Sequence, residues 1–281
     1  MVFVSKIEKT GGKMKFLQFA WVVIVGHMPI SLIAEDPPRI LFHETLPSRQ
    51  SILQIYFSEK DGVFSDRENR LIAHVRKCVN DSFYEISSIN KVIENDIEGM
   101  SSSKVRHLLN NLCTLPHARY LEIGTWKGST FIAALANNQA TVDYAVGMDD
   151  WSEFGGPKAD FERNLNQFLP SNSYRYEIYS HDCFAIQPSS IIKAPINLYL
   201  YDGNHSAVSQ EMAFTHYDEV LDDVFIALVD DWSEESVRQG TFNAFAKLNY
   251  EVLFEVCLPG PYTLWWNGFY VAVVRKSPKI D

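Results

Sequence analysis

Short apolar runs recur through the C-terminal two-thirds of the chain, and stretches with helical spacing separate them. The runs are Tyr120–Ile123, Tyr144–Met148, Tyr176–Tyr179, Ile196–Tyr201 and Val224–Val229. They are continuous rather than alternating, as strands buried on both faces are. Between them, Phe131–Leu135, Ala159–Phe168, Ser206–Tyr217 and Glu234–Leu248 read as crossover helices. Strand–helix alternation predicts a parallel sheet with helices on both faces. Two further strands, Tyr250–Cys257 and Gly268–Arg275, flank a Pro-Gly-Pro turn region and the Trp265-Trp266 pair. They predict a closing antiparallel hairpin, for seven strands in all.

The N-terminal third has a different pattern. Residues 35–118 predict a helical lead-in. Leu71, Ile72, Val75 and Cys78 mark one helix within Asp66–Val79, and Ser101-Ser102-Ser103 offer N-caps for a second through Val105, Leu108, Leu109 and Leu112. Pro116 separates that helix from the first sheet strand, so residues 119–281 form the main domain. Residues 1–34 stand apart. Lys6, Lys9, Lys13 and Lys15 precede the apolar run 16–34, which ends at Ala34 before Glu35-Asp36-Pro37-Pro38. A basic region, an apolar stretch and a small-residue cleavage point form a signal-peptide pattern. Gln18, His27 and Pro29 weaken the run as a spanning helix. Two readings stay open: export or membrane association through residues 16–34, and a plain apolar segment.

The chemistry gathers where the predicted strands end. Residues 120–130 read as a strand ending in Glu122, a turn with Gly124 and Gly128, and a helix opening at Ser129 and Thr130. These are the parts of a Rossmann-like, nucleotide-type cofactor site. A dinucleotide fingerprint needs a second glycine where this chain has Trp126, which opposes a pyrophosphate and hence a nicotinamide oxidoreductase. Asp149 ends the next strand about 20 residues beyond Gly128, the place of a ribose-binding acid. Its neighbour Asp150 can exchange roles with it. Asp202, Asp230 and Asp231 end two further strands and would meet at one rim. Crowded carboxylates repel, and a hard divalent cation such as magnesium relieves them. His205, three residues after Asp202, is placed to act there as general base. Trp151, Tyr201 and Trp232 cluster at the same rim in sequence and suggest an apolar substrate wall.

The 120–130 segment resembles the first motif of class I S-adenosylmethionine (SAM)-dependent methyltransferases, Glu-x-Gly-x-x-x-Gly. The resemblance implies a Rossmann-like three-layer α/β sandwich. Glu122, Gly124, Thr125, Gly128 and Ser129 would line the cofactor pocket, with Asp149 on the ribose and Asp182 and Cys183 framing the adenine. Asp202-Gly203-Asn204-His205 and the Asp230-Asp231 pair are similar to the metal-binding runs of catechol-type and macrolide-sugar O-methyltransferases. That likeness implies magnesium on Asp202, Asp230 and Asp231, with His205 removing the acceptor's proton. The family usually has Pro-Gly-Gly before the fifth strand, where this chain has Leu221-Asp222-Asp223.

Composition narrows the acceptor. The formal net charge is −10, with 35 Asp and Glu against 25 Lys and Arg. An acidic chain without a basic stripe is a poor nucleic-acid binder, so a small-molecule hydroxyl is expected. Cys78, Cys113, Cys183 and Cys257 have no zinc spacing. SAM supply favours a cytoplasmic catalytic domain. The rival expectation is a non-catalytic SAM-fold binding protein, exported or membrane-anchored through residues 1–34.

Overall fold

The computed structural model describes residues 6–10, 13–17, 55–170, 172–258 and 260–277. Strands β1 (Lys6–Thr10) and β2 (Lys13–Leu17) pair as an antiparallel hairpin, where the basic leader of a signal pattern was expected. The apolar run continues beyond them, and residues 18–34 lie outside the described set. Among the described residues, no helix is long and apolar enough to cross a membrane.

The main body begins with β3 (Tyr56–Glu59), α1 (Asp66–Phe83), α2 (Lys91–Asp96) and α3 (Ser103–Leu112). It continues through β4 (Ala118–Ile123), α4 (Ser129–Leu135), β5 (Val142–Met148), α5 (Lys158–Phe168), β6 (Tyr176–Tyr179), α6 (Pro188–Ile191), β7 (Ile196–Tyr201) and α7 (Ala207–Thr215). After a short 3-10 turn come β8 (Leu221–Val229), α8 (Glu235–Lys247), β9 (Glu251–Leu258), α9 (Tyr262–Trp265) and β10 (Phe269–Arg275).

The sheet order is β3-β9-β10-β8-β7-β4-β5-β6. Strands β4 to β8 are parallel, and β10 runs antiparallel between β8 and β9. This is a Rossmann-like α/β sheet with a reversed final strand, as the resemblance implies. One expectation is corrected: the sheet has eight strands, not seven. β3, within the expected helical lead-in, adds antiparallel to β9. At four residues it is too short to show a period, and the open edge of β9 supplies its ladder.

Strand alternation divides the core in two. Tyr120, Leu198, Leu200, Ile226, Leu228, Val271 and Val273 face α1, α3, α4 and α5. Their neighbours Leu121, Tyr199, Tyr201, Phe225, Ala227, Tyr270 and Ala272 face α7 and α8. Helix α1 starts on a capping box, with the Ser65 side chain and Glu68 bonding each other's backbone N–H groups. Glu68 also accepts from Arg275 Nη1 at 2.7 Å, tying α1 to β10. Helix α3 is capped by Ser102, one of the serines expected to do so. It is buried nearly all round, and its polar residues are used inside. Asn110 Nδ2 donates to the carbonyls of Ala133 and Ala136 at 2.8 Å each, closing the end of α4. The unusual Asp222 lies within β8, where Arg67 (2.7 Å) and Arg119 (2.6 Å) hold its carboxylate far from the strand ends that matter below.

Strand order reverses between β4 and β7, and these two ends approach very closely. Gly124 has φ +90°, and a Cβ there would lie 1.9 Å from the carbonyl oxygen of Asp202. Only glycine satisfies both conditions. Gly124→Ala is expected to cost about 3 kcal/mol or more, from combined backbone strain and overpacking. Urea denaturation measures it, and a loss below about 1 kcal/mol would contradict this account of the crossing.

Candidate functional site

Register sets the site. One row of paired residues crosses the sheet: Tyr179, Met148, Ile123, Tyr201, Val229 and Tyr270. On β4, β5, β7 and β8 the next residue is then Gly124, Asp149, Asp202 and Asp230 respectively. Each donates its backbone N–H to the last row of a neighbouring strand. The bonds are Gly124 to Met148 (2.9 Å), Asp149 to Tyr179 (3.2 Å), Asp202 to Ile123 (2.9 Å) and Asp230 to Tyr201 (3.3 Å). Three acids and the critical glycine thus stand on one line at the carboxyl rim, beside the switch point where ligands of such sheets bind.

The β4–α4 turn rests on a buried carboxylate. Glu122 has no exposed surface. It accepts from Thr130 Oγ1 at 2.6 Å on one oxygen and from the Tyr120 hydroxyl at 2.5 Å on the other. Burial pushes its pKa up to about 7. Glu122 thus supports the turn from beneath, with both of its oxygens engaged inside the protein. Above it, Gly128 (φ +86°) starts α4. Thr125 is buried, and its Oγ1 has no partner. Ser129 is also buried, against Ser101 at 3.3 Å. The 97–102 segment therefore roofs the start of α4. Arg106 holds that segment through Ser101 Oγ (3.0 Å) and the carbonyls of Glu94 (2.6 Å) and Ile97 (2.9 Å).

Asp149 closes the other side of the turn. Its Oδ2 accepts from the Trp126 backbone N–H at 2.8 Å and its Oδ1 from that of Trp151 at 2.7 Å. The Trp151 indole donates to the Trp126 carbonyl at 2.8 Å. Trp126 (φ +42°) and Trp151 (φ +52°) both hold backbone conformations that bulky side chains rarely adopt. Asp150 turns outward and bonds Ser152. Asp182 is exposed and caps its own turn through the Phe184 N–H at 2.9 Å. Cys183 is half-buried, and burial pushes its thiol up to about 12.

The second cluster lies across the switch point. One ligand atom each from Asp202, His205 and Asp231 lie within 4.8 Å of one another. His205 Nε2 is 2.8 Å from Asp231 Oδ2, and Nδ1 is 3.3 Å from Glu234 Oε1. Its bond to Asp231, aided by both carboxylate charges, pushes the imidazole up to about 9. His205 is therefore an imidazolium at neutral pH, an internal counter-ion to the acids. Asp230 stands beside this group. It bonds Asp202, and burial with mutual repulsion raises both carboxyls, so the pair retains a shared proton. The Asp230 Oδ1 atom is buried without a partner. Asp231 takes φ +51°, aiming its carboxylate back at His205.

The expected substrate wall is corrected. Tyr201 is fully buried in the layer under α7, and Trp232 stacks on Tyr270 with ring centroids 4.0 Å apart. Trp151 is buried against Phe161, centroids 5.2 Å apart. All three are packing residues, because strand ends bury their aromatics against the helices that follow. An exposed aromatic near this rim is Phe154, whose carbonyl accepts from the Trp126 indole at 3.4 Å. Sequence reasoning missed Glu234, Arg106 and Ser101. Only the last had a signal, as an N-cap candidate one position early.

The His205 contacts have a pH signature. A folded-state pKa raised from 6.5 to about 9 gives stability that is full below the unfolded value and lost as pH rises through 9. Wild type should exceed His205→Ala in urea resistance at pH 6, and the two should converge by about pH 10. A difference independent of pH would contradict the ion-pair geometry.

No family model matches the chain, and no curated protein does. Solved structures do. One is the O-methyltransferase TomG from Streptomyces achromogenes, involved in tomaymycin synthesis and solved with SAM: 16% identity, 76% of this chain and 91% of that chain, TM-score 0.46. Another is an O-methyltransferase from Bacillus cereus, with S-adenosylhomocysteine: 12% identity, 72% and 91% coverage, TM-score 0.47. A third is the precorrin-6y C5,15-methyltransferase of Geobacter metallireducens: 16% identity, 62% and 88% coverage, TM-score 0.45. At such identities and scores the fold assignment rests on the chain's own strand order: a Rossmann-like sheet whose last strand is reversed, with its acids on the carboxyl rim.

Proposed function

We propose that the chain is a SAM-dependent methyltransferase that methylates a hydroxyl of a small molecule with the help of a divalent cation. One observation carries the reading. The sheet's last row sets a glycine turn with a ribose-type acid on one side of the switch point. It sets a carboxylate–imidazole cluster on the other.

The residues fit the cofactor. The buried Thr125 Oγ1 lacks a partner, as a group reserved for a ligand does. Asp149 spends one lone pair per oxygen on backbone N–H groups and keeps others for vicinal hydroxyls. Lys127, the cation of the turn, is engaged by Glu98 at 2.7 Å, which suits a cofactor without phosphates. When bound, SAM supplies an electrophilic methyl group on sulfur. The residues also fit a cation, with Asp231 and, once its shared proton is displaced, Asp202 as oxygen donors and Asp230 supporting Asp202. When bound, a divalent cation supplies the Lewis acidity that lowers a hydroxyl's pKa.

The chain's own residues do the rest. Asp149 and the turn orient the adenosine end. The 97–102 roof and the buried Arg106 exclude water from the start of α4. Once the charge of Asp231 is satisfied elsewhere, the imidazolium loses its partner and gives its Nε2 proton to solvent; the bare Nε2 then takes the acceptor's proton. Positioning supplies most of the acceleration for such an in-line transfer.

Calorimetric titration of the full chain with S-adenosylhomocysteine should show micromolar affinity, about −8 kcal/mol. Asp149→Ala should weaken it tenfold or more. Absence of binding to the wild type would sink the reading. Magnesium should raise the thermal midpoint more at pH 8 than at pH 5, because protons compete for the raised Asp202 and Asp230 carboxyls. The gain should vanish in Asp202→Asn. Equal midpoints with and without magnesium at pH 8 would remove the cation from the mechanism.

A further inference from the structure

Glu234 occupies the N-cap position of α8, yet its side chain makes no capping bond. Ser, Thr, Asp and Asn are preferred there because their short side chains reach the helix's free N–H groups. Glu234 points elsewhere. Its Oε1 lies 3.3 Å from His205 Nδ1 and accepts from Asn267 Nδ2 at 3.4 Å. Asn267 is itself fixed. Its carbonyl accepts from the Ser233 N–H at 2.9 Å, and the carbonyl of Gly268 accepts from that of Trp232 at 3.1 Å. Gly268, at φ +93°, permits this close docking, since a Cβ there would lie 2.8 Å from Ser233 Oγ. A continuous chain of contacts thus runs from the turn before β10, through the start of α8, to the far side of the imidazole.

We propose that Glu234, braced by Asn267, is the positioning residue for His205: it holds the proton on Nδ1 and presents Nε2 to the acid cluster. This deepens the methyltransferase reading and rests on it for its purpose. The geometry stands on its own. A neutral imidazole carries one ring proton, and the partner of one nitrogen decides what the other offers. Asp231 and Glu234 compete for that proton from opposite sides. Whenever Asp231 is committed to another partner, Glu234 keeps Nδ1–H and leaves a bare lone pair on Nε2. A carboxylate behind a catalytic imidazole works in the same way.

The test reads the tautomer directly, by nitrogen NMR of 15N-imidazole-labelled full-length protein. Spectra are recorded at a pH where His205 holds a single proton. Asp231→Asn stands in for a committed Asp231, and asparagine tolerates the left-handed backbone at that position. In this background His205 should show a pyrrole-type Nδ1 and a pyridine-type Nε2. Adding Glu234→Ala should shift the tautomer ratio toward Nε2–H by about tenfold or more. Adding Glu234→Gln instead should restore the Nδ1–H form, because its amide oxygen accepts the same bond. Glu234 is partly exposed at a helix end, so these changes remove no buried packing. An unchanged ratio in the Ala variant, or no rescue by Gln, would overturn the proposal. S-adenosylhomocysteine affinity, measured on the same proteins, should stay within about twofold of the wild type. The tautomer shift needs no acceptor or cofactor, so failure of the methyltransferase reading would show as lost cofactor binding and leave the tautomer result to be judged separately.

Discussion

The close crossing of β4 and β7 governs the rest of the site. The carbonyl of Asp202 occupies the space that a side chain at position 124 would fill. That contact seats the β4–α4 turn directly against the first residue of the acid cluster. The Asp202 N–H bond to the Ile123 carbonyl at 2.9 Å joins the same two ends, so loosening this junction would part the two halves of the rim. Glu122 reinforces the same junction from below, holding Tyr120 on the strand and Thr130 on the helix. A carboxylate buried this deeply is costly unless its oxygens are satisfied, and here the turn's own hydroxyls satisfy them.

Gathering acids on one line has an electrostatic cost, and the fold offsets it in three ways. Asp149 is stabilised by two backbone N–H groups. Asp202 and Asp230 retain a proton between them. Asp231 takes an imidazolium as partner. Only the last two are reversible by a ligand, because a cation can replace a proton or an imidazolium whereas the backbone bonds are part of the turn. The side of the rim facing Asp149 is therefore rigid in charge, and the side facing Asp231 is adjustable.

Much of this was legible in the sequence, for identifiable reasons. The central strands were readable because burial on both faces leaves uninterrupted apolar runs, and Ile196–Tyr201 matches its strand end to end. The strand-end acids were readable because a charge closing such a run stands out. What failed depends on register and side-chain direction, which periodicity does not carry. Trp151, Tyr201 and Trp232 lie near the rim in sequence, yet their rings turn into the core. Asp230 and Asp231 are adjacent, and a left-handed residue at 231 sends them to different partners. β3 was invisible because a four-residue strand takes its definition from the neighbour it joins. Glu234 and Asn267 are 33 positions apart, and only the docking of the β10 turn unites them.

The edge strand places the incoming chain. β3 runs opposite to the parallel strands, so its first residue lies on the ligand side of the sheet. Tyr56 pairs with Cys257, Cys257 with Tyr270 and Tyr270 with Val229, the residue before Asp230. Three interstrand steps separate Tyr56 from Val229, about 14 Å in all. The polypeptide therefore enters the domain at the mouth of the site, on the flank nearest Asp230 and farthest from the Asp149 strand. A group attached at residue 55 would sit on the Asp230 flank of the carboxyl rim and leave the Asp149 flank clear.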